Sequence, residues 1–233
     1  MTLQIEDLHL AWGDFHLAGN LSLPTGSHIA VIGPSGAGKS TLLAVIAGFA
    51  PKAKGRILWD GADIAAKAPW ERPVATLFQD ANLFPHLTIT ANVALALDPK
   101  GRLTPAIRAR VEEMLTAVGL SGFGARKPGA LSGGQQSRAA LARVLLQDRP
   151  LVLLDEPFAA LGPGLKDEML HLAARLLREA GRGMLLVTHD PAEARAVADG
   201  IVLVTDGRID GPHPVAILDK PPPALAAYLG QRS

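Results

Sequence analysis

The sequence predicts an α/β fold: a mostly parallel sheet flanked by helices, with an N-terminal antiparallel β subdomain and an α-helical subdomain inserted at approximately residues 79–147, all in one domain over 1–233. Three observations predict it. Residues 28–32, 74–78, 151–155 and 183–189 are short apolar runs without alternation, the pattern of strands covered on both faces. Helical segments fall between these runs, as the crossovers of a parallel sheet require. From residue 78 to 131 the alternation lapses, and the clear signal there is one amphipathic helix through Ile107, Val111, Leu115 and Val118.

In chain order, residues 3–10 have a period near two, as do 56–59 ahead of the turn signal Asp60-Gly61, and both read as antiparallel strands of a small sheet beside the main one. Helices are expected at 39–48, 105–119, 133–147, 165–180 and 190–198. The strongest cap is Asp190-Pro191-Ala192-Glu193, with an acidic N-cap, proline at the first helical position and glutamate at the third. Residues 201–205, Asp206-Gly207 and Arg208-Ile209 read as a closing hairpin. Pro221-Pro222-Pro223 is a stiff extended stretch, and the chain has no internal repeat.

Composition sets outer limits. With 233 residues, 48% of them hydrophobic, the chain can bury one substantial core. Its 23 basic and 22 acidic residues give a net charge of +1, so no overall field favours nucleic acid or an anionic membrane surface. The absence of cysteine excludes disulfides and thiolate metal sites and permits a cytoplasmic setting. No stretch reaches the roughly 18 apolar residues of a membrane-spanning helix, and the first ten residues do not read as a signal peptide.

The chemistry concentrates where apolar strands end. Gly33-Pro34-Ser35-Gly36-Ala37-Gly38-Lys39-Ser40 satisfies G-x-x-x-x-G-K-[ST] between a strand and a helix, which makes the core a P-loop core. Its glycines let backbone N–H groups turn around phosphates, the helix presents its positive end, Lys39 reaches the terminal phosphates and Ser40 would ligate magnesium. Residues 151–156 are an apolar strand ending in two acids: Asp155 suits magnesium, and Glu156 suits accepting a proton from an attacking water or orienting it. His189 and Gln79 also follow strands. A histidine there serves structure as readily as catalysis, and an amide there is weak evidence on its own, since it can equally face solvent.

Leu131-Ser132-Gly133-Gly134-Gln135, ahead of the acidic strand, resembles the signature of ABC ATPases, and a serine with two glycines at a helix start makes a second phosphate-binding terminus. The family pattern covers nearly the whole chain in order: Trp12, residues 33–41 including Thr41, Gln79, the signature, Asp155-Glu156 and His189. The resemblance implies ATP and Mg2+ as ligands, with two copies of the chain sandwiching two ATP molecules head to tail, so that Ser132, Gly133, Gly134 and Gln135 of one serve the nucleotide of the other. It also implies Trp12 stacking on adenine, Glu156, His189 and Gln79 acting in hydrolysis, and Ser40, Gln79 and Asp155 around the metal. One position departs: Ala160-Leu161 is followed by Gly162, where the family usually places an aspartate that helps couple the two sites.

One site on a short chain without a span suggests an importer ATPase with separate membrane subunits. Residues 77–88 resemble the segment of bacterial importer ATPases that meets the permease, with Leu83, Phe84 and Leu87 either a docking patch or part of the helical core. Many sugar and polyamine importers append a regulatory domain, whereas this sequence stops at Ser233. With the runs 72–79 and 92–99, the resemblance is greatest to ATPase subunits of thiamine importers, with iron, molybdate and polyamine importers as alternatives. It implies a peripheral place on the cytoplasmic face of the inner membrane, permease subunits and, indirectly, a periplasmic solute-binding protein as partners, and no nucleic acid. A soluble ABC ATPase acting on nucleic acid or ribosomes is the remaining alternative, which the near-neutral charge disfavours.

Overall fold

The structure is a computed structural model that describes residues 2–50, 54–78, 80, 82–221 and 225–226; Gln79 and Pro222-Pro223 lie outside the described residues. Four strands have the unalternating interiors that the sequence predicts, buried except at the half-buried Thr76 and Asp155: β3 (His28–Ile32), β6 (Val74–Leu77), β7 (Leu151–Asp155) and β8 (Gly183–Val187). β1 (Thr2–Trp12) and β2 (Phe15–Pro24) largely alternate, whereas β4 (Lys54–Trp59) does not alternate as the sequence pattern suggests, since Ile57 and Leu58 are both buried; a short β5 (Ala62–Asp63) follows. β9 (Gly200–Thr205) and β10 (Arg208–Pro214) form the closing hairpin, whose Asp206 and Gly207 both take the positive φ of its turn.

Among the described residues these ten strands make one sheet in the order β5-β4-β1-β2-β10-β9-β3-β8-β7-β6. The expectation of a separate small sheet is therefore corrected. Its antiparallel strands join the parallel ones because β10 pairs in parallel with β2, Arg208 opposite Ala18 and Ile209 opposite Gly19. Glycine makes that seam possible: the Ala18 N–H donates to the Gly207 carbonyl at 2.7 Å, and a Cβ on Gly207 would lie 2.2 Å from the His16 carbonyl oxygen.

The parallel register aligns the ends of three strands. Val187 of β8 pairs with Val31 of β3 on one side and with Asp155 of β7 on the other. The residues that follow, 32–33, 156 and 188–189, therefore emerge together at one edge.

Helices α1 (Lys39–Ala47), α5 (Pro163–Glu179) and α6 (Pro191–Val197) follow β3, β7 and β8. Between β6 and β7 lie α2 (Ile89–Ala94), α3 (Pro105–Ala117) and α4 (Gly133–Leu146). Threonine caps open α2 and α3, Thr88 accepting from Ala91 N–H and Thr104 from Ile107 N–H. Leu141, Leu145, Val111 and Leu115 pack in one cluster with Leu154, Phe158 and Met169, so these helices share a core with the sheet. Asp190 caps α6 by accepting from Ala192 N–H at 2.8 Å, but Glu193 turns inward to Thr188 and Lys166 rather than back to the cap as the sequence pattern suggests.

Gly207→Ala is expected to destabilise the chain by more than ~1 kcal/mol, because an L side chain is strained at φ 66° and meets the neighbouring carbonyl. Thermal unfolding of the variant beside the parent checks this.

Candidate functional site

The loop between β3 and α1 is shaped by close contacts that exclude side chains. A Cβ on Gly33 would lie 1.9 Å from the Val204 carbonyl oxygen, and Gly38 enters α1 at φ 108°. Lys39 is only 7% exposed, and its ammonium donates to the carbonyls of Gly33 and Pro34 at 2.8 Å each. An ammonium has three donors, so the lysine closes its own loop and keeps one for a ligand. Burial pulls its pKa below the usual lysine value, an effect that Glu156 and Asp155 oppose by their charge. Pro34, Ser35 and Gly36 are exposed at the loop tip, Ala37 and Thr41 are half-buried, and Ser40 faces out.

Across the edge, Ser40 Oγ donates to Asp155 Oδ1 at 2.9 Å, bridging positions 115 apart in sequence. Burial raises the Asp155 pKa above the usual aspartate value, and the charge of Glu156 adds to the shift, while the Ser40 hydrogen bond and Lys39 oppose it. Glu156 adopts φ 43°, a left-handed conformation that costs a non-glycine residue about 1 kcal/mol. It is held there by its N–H to the Val187 carbonyl at 3.2 Å and by buried Phe158 two residues on. Its Oε2 lies 3.3 Å from His189 Nδ1. The structure therefore brings Lys39, Ser40, Asp155, Glu156 and His189 to one place.

Trp12 ends β1 and is 75% exposed. Its strand neighbour Phe15 lines, with Asp14, His16, the loop tip and Gly207, an open pocket of about 280 Å3 beside the phosphate loop. The signature lies elsewhere. Ser132 caps α4 in a reciprocal pair, its Oγ accepting from Gln135 N–H and its own N–H donating to Gln135 Oε1. Gly133 is exposed; Gly134 is buried, and a Cβ there would lie 2.5 Å from Leu165 Cδ2 of α5. Gly162 is the N-cap of α5, extended, and a Cβ added there would meet nothing within 4 Å.

Leu83, Phe84 and Leu87 do not stand together as one exposed patch. Leu83 packs against the helical core and Leu87 is half-buried, whereas Phe84 is exposed. Phe84, Phe78 and Trp70, the last 75% exposed, line a groove of about 470 Å3, and exposed Phe49 sits 5.8 Å from Phe78 ring to ring. Sequence reading missed Trp70 and Phe49 because they lie on other elements and share no spacing with residues 77–88.

A family model described as ABC transporter matches residues 18–159. The chain belongs to the ABC transporter family. It is 56% identical over 229 residues to the thiamine import ATP-binding protein of Ruegeria sp. (strain TM1040), covering 98% of this chain and 99% of that one. The protein of the same name from Cereibacter sphaeroides is equally similar, and that of Haemophilus influenzae (strain Rd) is 48% identical over 190 residues, 82% of this chain and 88% of its own. A crystal structure of an ATP-binding cassette of an ABC transporter, in its ADP conformation, superposes with a TM-score of 0.86 at 26% identity, covering 99% of both chains. The ligand of this family of cassettes is ATP, and the oxygen donors of Ser40 and Asp155, 2.9 Å apart, fit a hard divalent cation beside it.

Asp155 carries a stability cost for its place in the site. A carboxylate whose pKa is raised by folding stabilises in its protonated form, and that contribution is lost as pH rises through the folded value. Asp155→Asn is therefore expected to raise the unfolding temperature at neutral pH, with the gain shrinking as pH falls into the carboxylate range. Thermal melts across that range without added metal check it.

Proposed function

We propose that this chain is the ATP-hydrolysing subunit of a thiamine importer, working as a head-to-tail pair on the cytoplasmic face of the inner membrane. The observation that carries the hydrolytic reading is the convergence of Lys39, the Ser40–Asp155 pair and the Glu156–His189 pair beyond one row of three parallel strands. The thiamine assignment rests on the names of relatives that match over nearly the full chain.

In this reading the loop from Gly33 to Thr41, through the N–H groups of every residue but Pro34, and the N-terminus of α1 hold the phosphates, Lys39 neutralises the terminal ones, and Trp12 stacks on adenine beside the pocket. Magnesium, held by Ser40, Asp155 and Gln79, would supply charge neutralisation at the phosphate oxygens. Glu156 orients or deprotonates the attacking water. His189 sets the position of that carboxylate and contacts the terminal phosphate. Ser132, Gly133, Gly134 and Gln135 of a second copy close the site, so that ATP holds two chains together and hydrolysis lets them part. The groove lined by Trp70 and Phe78 of the core and by Phe84 of the inserted unit at residues 79–147 meets the permease, whose conformation the closure drives. A periplasmic solute-binding protein acts only through that permease.

Glu156→Gln is expected to sediment as two chains in ATP, and Lys39→Ala to lower turnover by at least about a hundredfold. A Glu156→Gln chain that stays monomeric in ATP overturns the sandwich. Reconstituted with its permease and binding protein, the parent should hydrolyse ATP faster when thiamine is supplied, and stimulation by a different solute instead overturns the cargo assignment.

Gly162 leaves hydrolysis intact but alters communication between the two sites. Gly162→Asp, which the open space admits, is expected to change the cooperativity of turnover with ATP concentration. An unchanged cooperativity rejects the idea.

A further inference from the structure

Glu193 is a carboxylate only 9% exposed, on the one side of α6 that faces α5 and the end of β8. Both of its oxygens are engaged. Oε1 pairs with Lys166 Nζ from the first turn of α5, and Oε2 accepts the Thr188 hydroxyl at 2.5 Å. The Thr188 oxygen in turn accepts from Asp190 N–H at 3.0 Å. Thr188 and Asp190 flank His189, so one hydroxyl spans the turn that carries the imidazole, and Glu193 anchors that hydroxyl. Lys166 belongs to α5, which begins at Pro163 after the turn of residues 157–162 that follows Glu156, and its N–H is bonded to the Gly162 carbonyl at 2.9 Å.

We infer that the Lys166–Glu193 pair positions His189 against Glu156, tying both halves of the 3.3 Å imidazole–carboxylate contact to one ion pair. Stability alone gives a weak reason for it, because well-packed apolar residues usually replace a buried ion pair at no loss. Its placement gives a stronger one: Glu193 holds the hydroxyl of Thr188 beside His189, and Lys166 stands in the first turn of the helix that follows Glu156.

The inference rests on the reading of His189 and Glu156 as the hydrolytic pair, and the test separates the two. Steady-state ATP turnover with magnesium is measured for the parent, Glu193→Gln, Lys166→Met, Lys166→Arg, His189→Ala and Glu193→Gln in the His189→Ala background, together with each unfolding midpoint. Misplacing a reacting group by about 1 Å costs up to about a hundredfold, so Glu193→Gln and Lys166→Met are expected to lower kcat about ten- to a hundredfold with KM for ATP within about twofold. Lys166→Arg should restore most of the loss, and Glu193→Gln should add nothing once His189 is gone. Parent-like kcat in both Glu193→Gln and Lys166→Met, beside an impaired His189→Ala, overturns the positioning role. So does a Glu193→Gln loss that persists in the His189→Ala background. Should Glu193→Gln not fold, the Lys166→Met and Lys166→Arg comparison decides alone. Parent-like turnover in His189→Ala overturns the hydrolytic reading of that residue, and the inference with it.

Discussion

The site depends on the row that Val187 makes with Val31 and Asp155. In a parallel sheet, residues level with one another on adjacent strands leave it level, so the chain needs no further device to bring together a loop at 33, a carboxylate at 156 and a histidine at 189. The ladder even runs one step beyond the row: Glu156 N–H reaches the Val187 carbonyl at 3.2 Å and Thr188 N–H the Val31 carbonyl at 3.3 Å. A slip of one residue in β8 would move His189 away from Glu156 and turn each side chain of the strand to the other face. The all-buried interiors of β3 and β8, packed on both faces, hold that register.

The same edge concentrates what folding would otherwise avoid. A nearly buried ammonium, a carboxylate with a raised pKa and a glutamate in a left-handed backbone conformation stand within one cluster. Each is offset locally. Lys39 is satisfied by two carbonyls of its own loop, Asp155 by the Ser40 hydroxyl, and Glu156 by a backbone bond and the anchoring of Phe158 in the core. Strain and buried charge persist at a site when the surrounding structure over-determines them, and here the loop after β3, the start of α1, the end of β8 and the core around Phe158 do so.

What the sequence made legible follows from how local each requirement is. The phosphate loop, the acidic pair and the signature are short segments whose residue types answer a backbone or charge demand in place, and all three stand where apolar strands or a helix predict. β2 was not foreseen: Gly19 and Asn20 interrupt the alternation of Leu17, Leu21 and Leu23, and only pairing with β1 and β10 completes the strand. α2, six residues long, is too short to show a helical period and rests on its Thr88 cap and buried Ile89 and Val93. The joining of antiparallel and parallel strands into one sheet depends on Gly207 approaching His16, a contact between distant segments that leaves no pattern in either. Glu193 illustrates the reverse error. Its position three residues past Asp190 is that of a capping glutamate, but its carboxylate is taken by the Lys166 ammonium and the Thr188 hydroxyl, and the Asp190 N–H donates to the Thr188 oxygen instead.

That competition bears on the open N-cap at Gly162. A helix start without a capping side chain leaves N–H groups unsatisfied and its first turn prone to fray, and substituting a capping residue by glycine costs only a few tenths of a kcal/mol. α5 nevertheless has a defined first turn, for three reasons besides Pro163. Leu165 seats against Gly134 of the signature helix, Lys166 pairs with Glu193, and Glu168 pairs with Arg138, whose other contact is the Val118 carbonyl at the end of α3. The helix that follows the hydrolytic glutamate is thus fixed by side chains from α4 and α6 rather than by its own cap. An aspartate at 162 would add little to that anchoring. Whatever its absence changes must arise outside this chain's own fold, at the surface Gly162 leaves open.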